Sequence, residues 1–304
     1  MGKRRISKNQ GFRFFNFGIL LAPIFLVVVA GIGWKILGEW QKSKLGESQR
    51  YNIVFSSERD GLVKFVSLDK LDKTLTVLDF PGELYVETAF GYGKYFLDKV
   101  WEVGELDKRG GKVLAATIGD LAGVPVDGYI RMRDLGELRD VGGIIKTDLS
   151  VFDLGRLGWE AIKVRTDKIK TIDIAKLGVT DDLLLADGGK ARALDFLRLD
   201  YFLQGEFLER DLREENLKIE VLNTGGELGL GTAAARVLEA VGIDVVNVGN
   251  SDLGVKECEV RVINKYEHSK TVKRIAGVFR CKILSKEEGR ADVTLLLRAL
   301  HPGE

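Results

Sequence analysis

Arg59 and Asp60 stand side by side before the β-rich run Gly61–Leu68, and Glu83 follows the turn Phe80-Pro81-Gly82. Lys94 and Asp98 come after Gly91-Tyr92-Gly93. Carboxylates gathered at strand ends can hold Mg²⁺, and basic groups beside them can steady phosphate oxygens. In a chain that is 30% charged, the same residues also read as ordinary solvated loop positions. Nucleophilic hydrolysis of the Ser-His-Asp kind is excluded, because both histidines, His268 and His301, lie in the C-terminal region. Cys258 and Cys281 are the two cysteines, too few with so little histidine for a zinc site. They read either as a disulfide outside the cytoplasm or as two small buried residues at strand starts.

The elements that must position these groups are mixed α and β. Asn52–Phe55, Gly61–Leu68 and Thr74–Phe80 read as strands, the last two joined through the polar turn 69–73 as a hairpin. Lys112–Leu121 reads as a helix closed by Gly123 and Pro125, followed by a strand at Gly128–Met132. Leu149–Trp159 and Arg192–Leu203 read as helices, with a strand at Lys168–Ile174 between them. Residues 204–216 form a charged connector, taken as helical.

Beyond it, strands at Leu217–Leu222, Ile243–Val248, Glu257–Ile263, Cys281–Leu284 and Val293–Leu297 alternate with helices at Thr232–Val241 and Lys270–Phe279. This is a compact βαβ-βαββ unit. The glycines of 224–231 fall as GG-x-x-G-x-G rather than the dinucleotide-binding G-x-G-x-x-G, and no G-K-[ST] is present. A tight turn that packs a helix on its sheet is the alternative to a phosphate-binding loop.

Phe17 to Trp34 is an uncharged, apolar run of eighteen residues, about 27 Å long as a helix and close to a bilayer's hydrocarbon thickness. Lys3, Arg4, Arg5, Lys8 and Arg13 precede it, and positive charge beside a first apolar segment stays in the cytoplasm. The expectation is a single-pass anchor at 17–37 in the cell membrane, a cytoplasmic tail at 1–16 and an extracytoplasmic remainder. The rival is a cleaved signal peptide, for which Val29-Ala30-Gly31 is the nearest approach to a cleavage site. Residues 1–38 hold six basic groups and no acid, against 46 and 45 in the whole chain, so the remainder carries 40 against 45 and is net acidic. That balance argues against nucleic acid as a partner, and a 16-residue tail is too short for a DNA-binding fold.

Taken together, these segments resemble the LytR-CpsA-Psr family of the bacterial cell envelope, followed by a LytR C-terminal domain. Arg59-Asp60-Gly61-Leu62-Val63 is similar to the family's R-x-D-T, Thr74–Glu83 to its strand ending in I-P-R-D, Gly91–Leu97 to its G-Y-G-K stretch, and Gly123–Tyr129 to G-I-P-[IV]-D-x-Y. Ile219–Asn223, the glycine turn, Gly242–Asn250 and Ala291–Leu297 resemble the C-terminal domain. The implied fold is an anchor, a shortened α/β/α domain over 50–203, a connector at 204–216 and a small α/β domain over 217–300.

The resemblance implies transfer of an anionic glycopolymer from a polyprenyl-pyrophosphate carrier to peptidoglycan, as a Mg²⁺-dependent phosphotransferase at the membrane. Asp60 would then be the catalytic metal-site acid and Arg59 a phosphate contact. Glu83 would stand at an aspartate's place, and Lys94 would be a further phosphate contact. The arginine of I-P-R-D is Gly82 here, and Arg131, Arg133 and Arg139 are the nearest substitutes for a later arginine-rich segment. The alternative is a non-catalytic envelope scaffold that binds polymer or a partner.

The orientation can be tested directly. A single cysteine introduced beyond residue 38 is expected to react with an impermeant thiol reagent applied outside the cell. Reaction only from the cytoplasmic side would reverse the assignment.

Overall fold

The computed structural model describes Leu45 and residues 48–135, 143–286 and 290–300. The expected anchor at 17–37 and Arg139 lie outside the described residues. Among the described residues no helix is long and apolar enough to cross a membrane. Residues 44–304 form one compact unit.

The chain enters through β1 (Arg50–Ser57), β2 (Val63–Asp69) and β3 (Thr74–Phe80), an antiparallel meander. The turn between β2 and β3 forms because the Asp69 carboxylate accepts the backbone N–H groups of Leu71 and Asp72 at 2.8 and 3.1 Å. A short hairpin follows, β4 (Tyr85–Thr88) with β5 (Gly93–Phe96), then α1 (Val100–Glu105) and α2 (Gly110–Ala122). Gly123 closes α2 in the left-handed region at φ 65°. β6 (Gly128–Met132) pairs parallel with β1, and β7 (Ile144–Thr147) pairs antiparallel with β6. α3 (Val151–Ala161) opens on a capping box, with the Ser150 hydroxyl accepting from Asp153 N–H and the Asp153 carboxylate from Ser150 N–H. β8 (Ile169–Asp173) completes a six-stranded sheet in the order β7-β6-β1-β2-β3-β8.

Both faces of this sheet are covered. Val54, Phe65, Leu78 and Phe80 face α1 and α2, which contribute Trp101, Val113, Leu114 and Ile118. Tyr51, Ile53, Leu68, Ile130 and Met132 face the other way, where Leu154 and Leu157 of α3 and Leu45 pack on them. Each fully buried Phe or Leu here is worth about 1.5–3 kcal/mol.

β9 (Thr180–Leu184) and β10 (Lys190–Leu194) form a separate antiparallel pair, followed by α4 (Phe196–Leu203) and α5 (Arg210–Glu215). Arg192–Leu194 is therefore strand, not helix. Asp195 accepts the N–H of Arg198 and fixes the helix start after it. The connector is helical only from Arg210. Phe207 before it is fully buried, edge-on to Phe65 at 5.5 Å.

The last segment contains β11 (Lys218–Asn223), α6 (Leu230–Ala240), β12 (Asp244–Asn250), β13 (Cys258–Ile263), α7 (Lys270–Phe279), β14 (Lys282–Lys286) and β15 (Val293–Leu297). Its sheet order is β12-β11-β15-β13-β14, with its own core around Ile219, Val221, Val260, Val262, Ile275 and Leu295. Strands β11 and β13 bury alternate residues, so one sheet face carries helices and the other meets solvent. Cys258 and Cys281 are joined as a disulfide with Cα atoms 4.7 Å apart, closing the crossover from β13 through α7.

The two sheets are held together by arginines from the second. Arg274 of α7 is buried and meets Asp127, just before β6, at 2.6 Å, while its Nε donates to Glu209 at 3.1 Å. Burial alone would lower the Arg274 guanidinium, but Asp127 and Glu209 outweigh it and hold it above its ordinary range. Burial pushes the Glu209 carboxyl up despite Arg274. Arg236 of α6 donates to Asp200 at 2.7 Å and to the carbonyls of Asp120 and Leu121 at 2.6 and 3.1 Å. Those carbonyls belong to the last turn of α2, which lacks helical partners for them.

Replacing Arg274 with Met is expected to cost about 3–5 kcal/mol, because two buried carboxylates lose their cation. The urea midpoint reads this loss. A change within the error of wild type would show that the contact is solvent-screened.

Candidate functional site at the carboxyl end of the first sheet

Strands β1 and β6 run parallel, and their carboxyl ends carry the loop 58–62 and the segment 133–135. In sheets with parallel strands, ligands collect at this end. The loop is pinned by Ser57 N–H to Leu62 O and by Glu58 N–H to Met132 O, both at 2.9 Å. It places Arg59 and Asp60 on the surface, both exposed.

The loop after β3 reaches the same place. Asp98 N–H donates to Gly82 O at 3.1 Å, and Leu97 N–H to Leu84 O at 2.8 Å. Asp98 is thereby pressed against two glycines. A Cβ added at Gly82 would lie 3.0 Å from the Asp98 Cβ, and one at Gly61 would lie 3.1 Å from it. Gly82 is thus a point of close approach. Any side chain there, an arginine included, forces Asp98 to move.

The structure gathers some of the sequence candidates and separates others. Arg59, Asp60, Gly82 and Asp98 come from segments that meet. Glu83 turns away and pairs with Arg192 of β10 at 3.2 Å. Lys94 lies on the outer hairpin, 3.9 Å from Glu87, with both side chains mostly exposed. Asp98 is engaged by Lys99 at 3.3 Å. Among the described residues no group of three or more His, Cys, Asp or Glu side chains converges.

A second group of side chains sits one strand inward. Arg131 of β6 is buried, with its guanidinium 4.4 Å from the Trp101 ring centre and 3.3 Å from Glu102. Ser56 lies beside it in register on β1, and Lys146 opposite it on β7. Lys146 reaches Glu105 at 2.6 Å. The Ser56 hydroxyl and the Arg131 Nε are both buried without a hydrogen-bond partner. A fixed guanidinium beside a free hydroxyl can receive an anionic oxygen. Sequence reading named Arg131 only as a substitute. The missing signal was Trp101, which holds the guanidinium flat and is remote in sequence.

The glycine turn 224–231 is closed on itself. The Asn223 side chain accepts from Gly225 and Gly226 N–H at 3.0 and 3.2 Å and donates to Glu227 O at 2.6 Å. A Cβ at Gly225 would lie 2.1 Å from the Arg298 carbonyl oxygen. Gly225 thus packs backbone on backbone.

The architecture is thus that of an α/β protein whose described residues form two main sheets, a six-stranded one and a five-stranded mixed one. The second coincides with a family match: residues 216–299 match the family described as LytR cell envelope-related transcriptional attenuator. No curated protein sequence matches the chain. Among solved structures it is similar to TagV of B. subtilis, at 14% identity over 51% of this chain and 95% of that one, with a TM-score of 0.40. It is also similar to the transcriptional regulator yvhJ from Bacillus subtilis, at 14% identity over 51% and 94% with a TM-score of 0.39. A third similar structure is the LytR-CPS2A-psr family protein YwtF (TagT) with bound octaprenyl pyrophosphate lipid, at 13% identity over 50% and 87% with a TM-score of 0.38.

Gly82→Ala is expected to destabilise by about 1–3 kcal/mol through overpacking against Asp98. In an Asp98→Gly background, which removes the opposing Cβ, most of that cost should disappear. Equal costs in both backgrounds, measured by chemical denaturation, would show that the contact is unimportant.

Proposed function

We propose that this chain works in the bacterial cell envelope, tethered at the membrane, as a protein that binds a polyprenyl-linked or wall glycopolymer without transferring it. The observation that carries the envelope assignment is the match of residues 216–299 to the LytR C-terminal family. The Cys258–Cys281 disulfide supports an oxidising, extracytoplasmic setting. The TagT structure mentioned above holds octaprenyl pyrophosphate. In this chain the buried Arg131, with Ser56 beside it, is the group suited to an anionic phosphate.

The absence of transfer is argued from Gly82. Glycine offers no charge to a developing phosphoryl transition state, and a Cβ added there would press on the Asp98 Cβ at 3.0 Å. Asp60 stands exposed, and among the described residues no group of three or more acids converges beside it.

The test is binding of a polyprenyl-pyrophosphate-linked glycan to the full chain in detergent, with Mg²⁺ and with a chelator. Binding is expected to survive chelation and Asp60→Ala, and to weaken about 10–100-fold in Arg131→Gln, the worth of a charged hydrogen bond. A thermal melt establishes that the variant is folded. Loss of binding on chelation and in Asp60→Ala, with glycan appearing on peptidoglycan, would overturn this reading in favour of a Mg²⁺-dependent phosphotransferase.

A further inference from the structure

Among the described residues, nothing covers the outer face of helix α3. At 3.6 residues per turn, Val151, Phe152, Gly155, Gly158, Trp159 and Ile162 fall within an arc of about 120°. This arc holds no charged residue. Val151 and Ile162 are 83% and 73% exposed, and Trp159 is 62% exposed. At Gly155 and Gly158 an added Cβ would meet nothing within 4 Å. A surface helix of a protein dissolved in water carries charge on this side. Here the charged residues flank the arc: Glu160 and Lys163 pair at 2.7 Å, and Lys163 stands 5.2 Å from the Trp159 ring centre.

We infer that this face of α3 lies on the surface of an anionic lipid bilayer. The first support is the path of the chain. Leu45 is fully buried in the core beneath α3, and its N–H donates to Asp153 of that helix at 3.2 Å. The apolar run ends at Trp34. Eleven residues span at most about 40 Å, so an anchor there keeps α3 within a short reach of the membrane. The second support is chemical. Trp and Ile with flanking Lys and Arg are the residues of an interfacial helix, with the ring at headgroup depth and cations at the phosphates. The segment 163–170 following α3 contains Lys163, Arg165, Lys168 and Lys170 and one acid, Asp167. Helix α4 also exposes apolar groups, Leu197 and Tyr201, but it lacks the connection to Leu45 and carries Arg198 beside them.

This inference rests on the membrane-tethered reading, and the experiment separates the two. Cys258 and Cys281 are paired, so Ile162→Cys gives a single reactive thiol among the described residues. It is labelled with an environment-sensitive dye in the full chain and reconstituted in vesicles of phosphatidylcholine and phosphatidylglycerol. Spin-labelled lipid should quench the dye at 162 several-fold more than at Leu106→Cys, an exposed position after α1 on the opposite side of the first sheet. Adding Gly155→Asp, which has open space for its side chain, should abolish that difference while the chain still floats with the vesicles.

A chain that floats with 162 unquenched overturns the inference and leaves the tether standing. Quenching unchanged by Gly155→Asp also overturns it. Dye shielding that rises with protein concentration rather than with lipid assigns the face to a second copy instead. A chain that does not float removes both the tether and the inference.

Discussion

The arrangement of the whole unit depends on one buried cation. Arg274 leaves α7, crosses to the first sheet and settles between Asp127 and Glu209, all three largely removed from water. Burying such charges is costly, and the attraction between them offsets that cost only when geometry is good. Asp127 is itself fixed, since its carboxylate accepts Asn52 N–H at 2.8 Å and its own N–H donates to Asn52 O at 2.8 Å. Glu209 N–H donates to Val241 O at 2.9 Å. The guanidinium therefore meets carboxylates that the backbone already holds, and little conformational entropy is lost in meeting them. Arg236 repeats the device at the end of α2, where Gly123 leaves room for it: a Cβ at that glycine would lie 2.7 Å from the guanidinium carbon.

That constraint explains why a charged connector joins the domains without leaving them loose. Arg50 donates to Leu208 O at 3.2 Å and pairs with Asp69 at 3.2 Å, and Phe207 inserts into the first core. Residues 204–209 are thus tied down by side chains at both ends. They have no need to be helical to be rigid.

Much of this fold was legible in the sequence because its cause is local. Gly128–Met132, Thr74–Phe80, Lys270–Phe279 and Val293–Leu297 show apolar patterns bounded by turn residues, and the structure has the same limits. Strands β4, β5, β7 and β9 were not legible. They are four or five residues long, and β9 reads Thr-Asp-Asp-Leu-Leu, a strand only because β10 pairs with it. The candidate site divided in the same way. Arg59 and Asp60 were visible as a motif beside a glycine. The contact of Gly82 with Asp98, sixteen positions later, is tertiary, and so is the stacking of Arg131 on Trp101. Spacing along the chain carries no trace of either.

The geometry also separates the two domains' surfaces. Arg274 and Arg50 make their contacts around Asn52, Asp127 and Leu208, at the amino ends of β1 and β6. Arg59, Asp60 and Gly82 lie beyond the carboxyl end of β1. From Arg50 to Ser57 is seven steps of about 3.3 Å, so roughly 23 Å of sheet lies between the docking contacts and the candidate site. Arg131 itself lies four residues, roughly 13 Å, along β6 from the docking residue Asp127. The solvent-facing side of the second sheet is a second surface in its own right. On the proposed reading, a phosphate-bearing carrier at one place and a polymer or partner at another would be kept at a fixed distance by the Arg274 contact. Binding at two fixed points raises the effective concentration of one ligand near the other without a catalytic group between them.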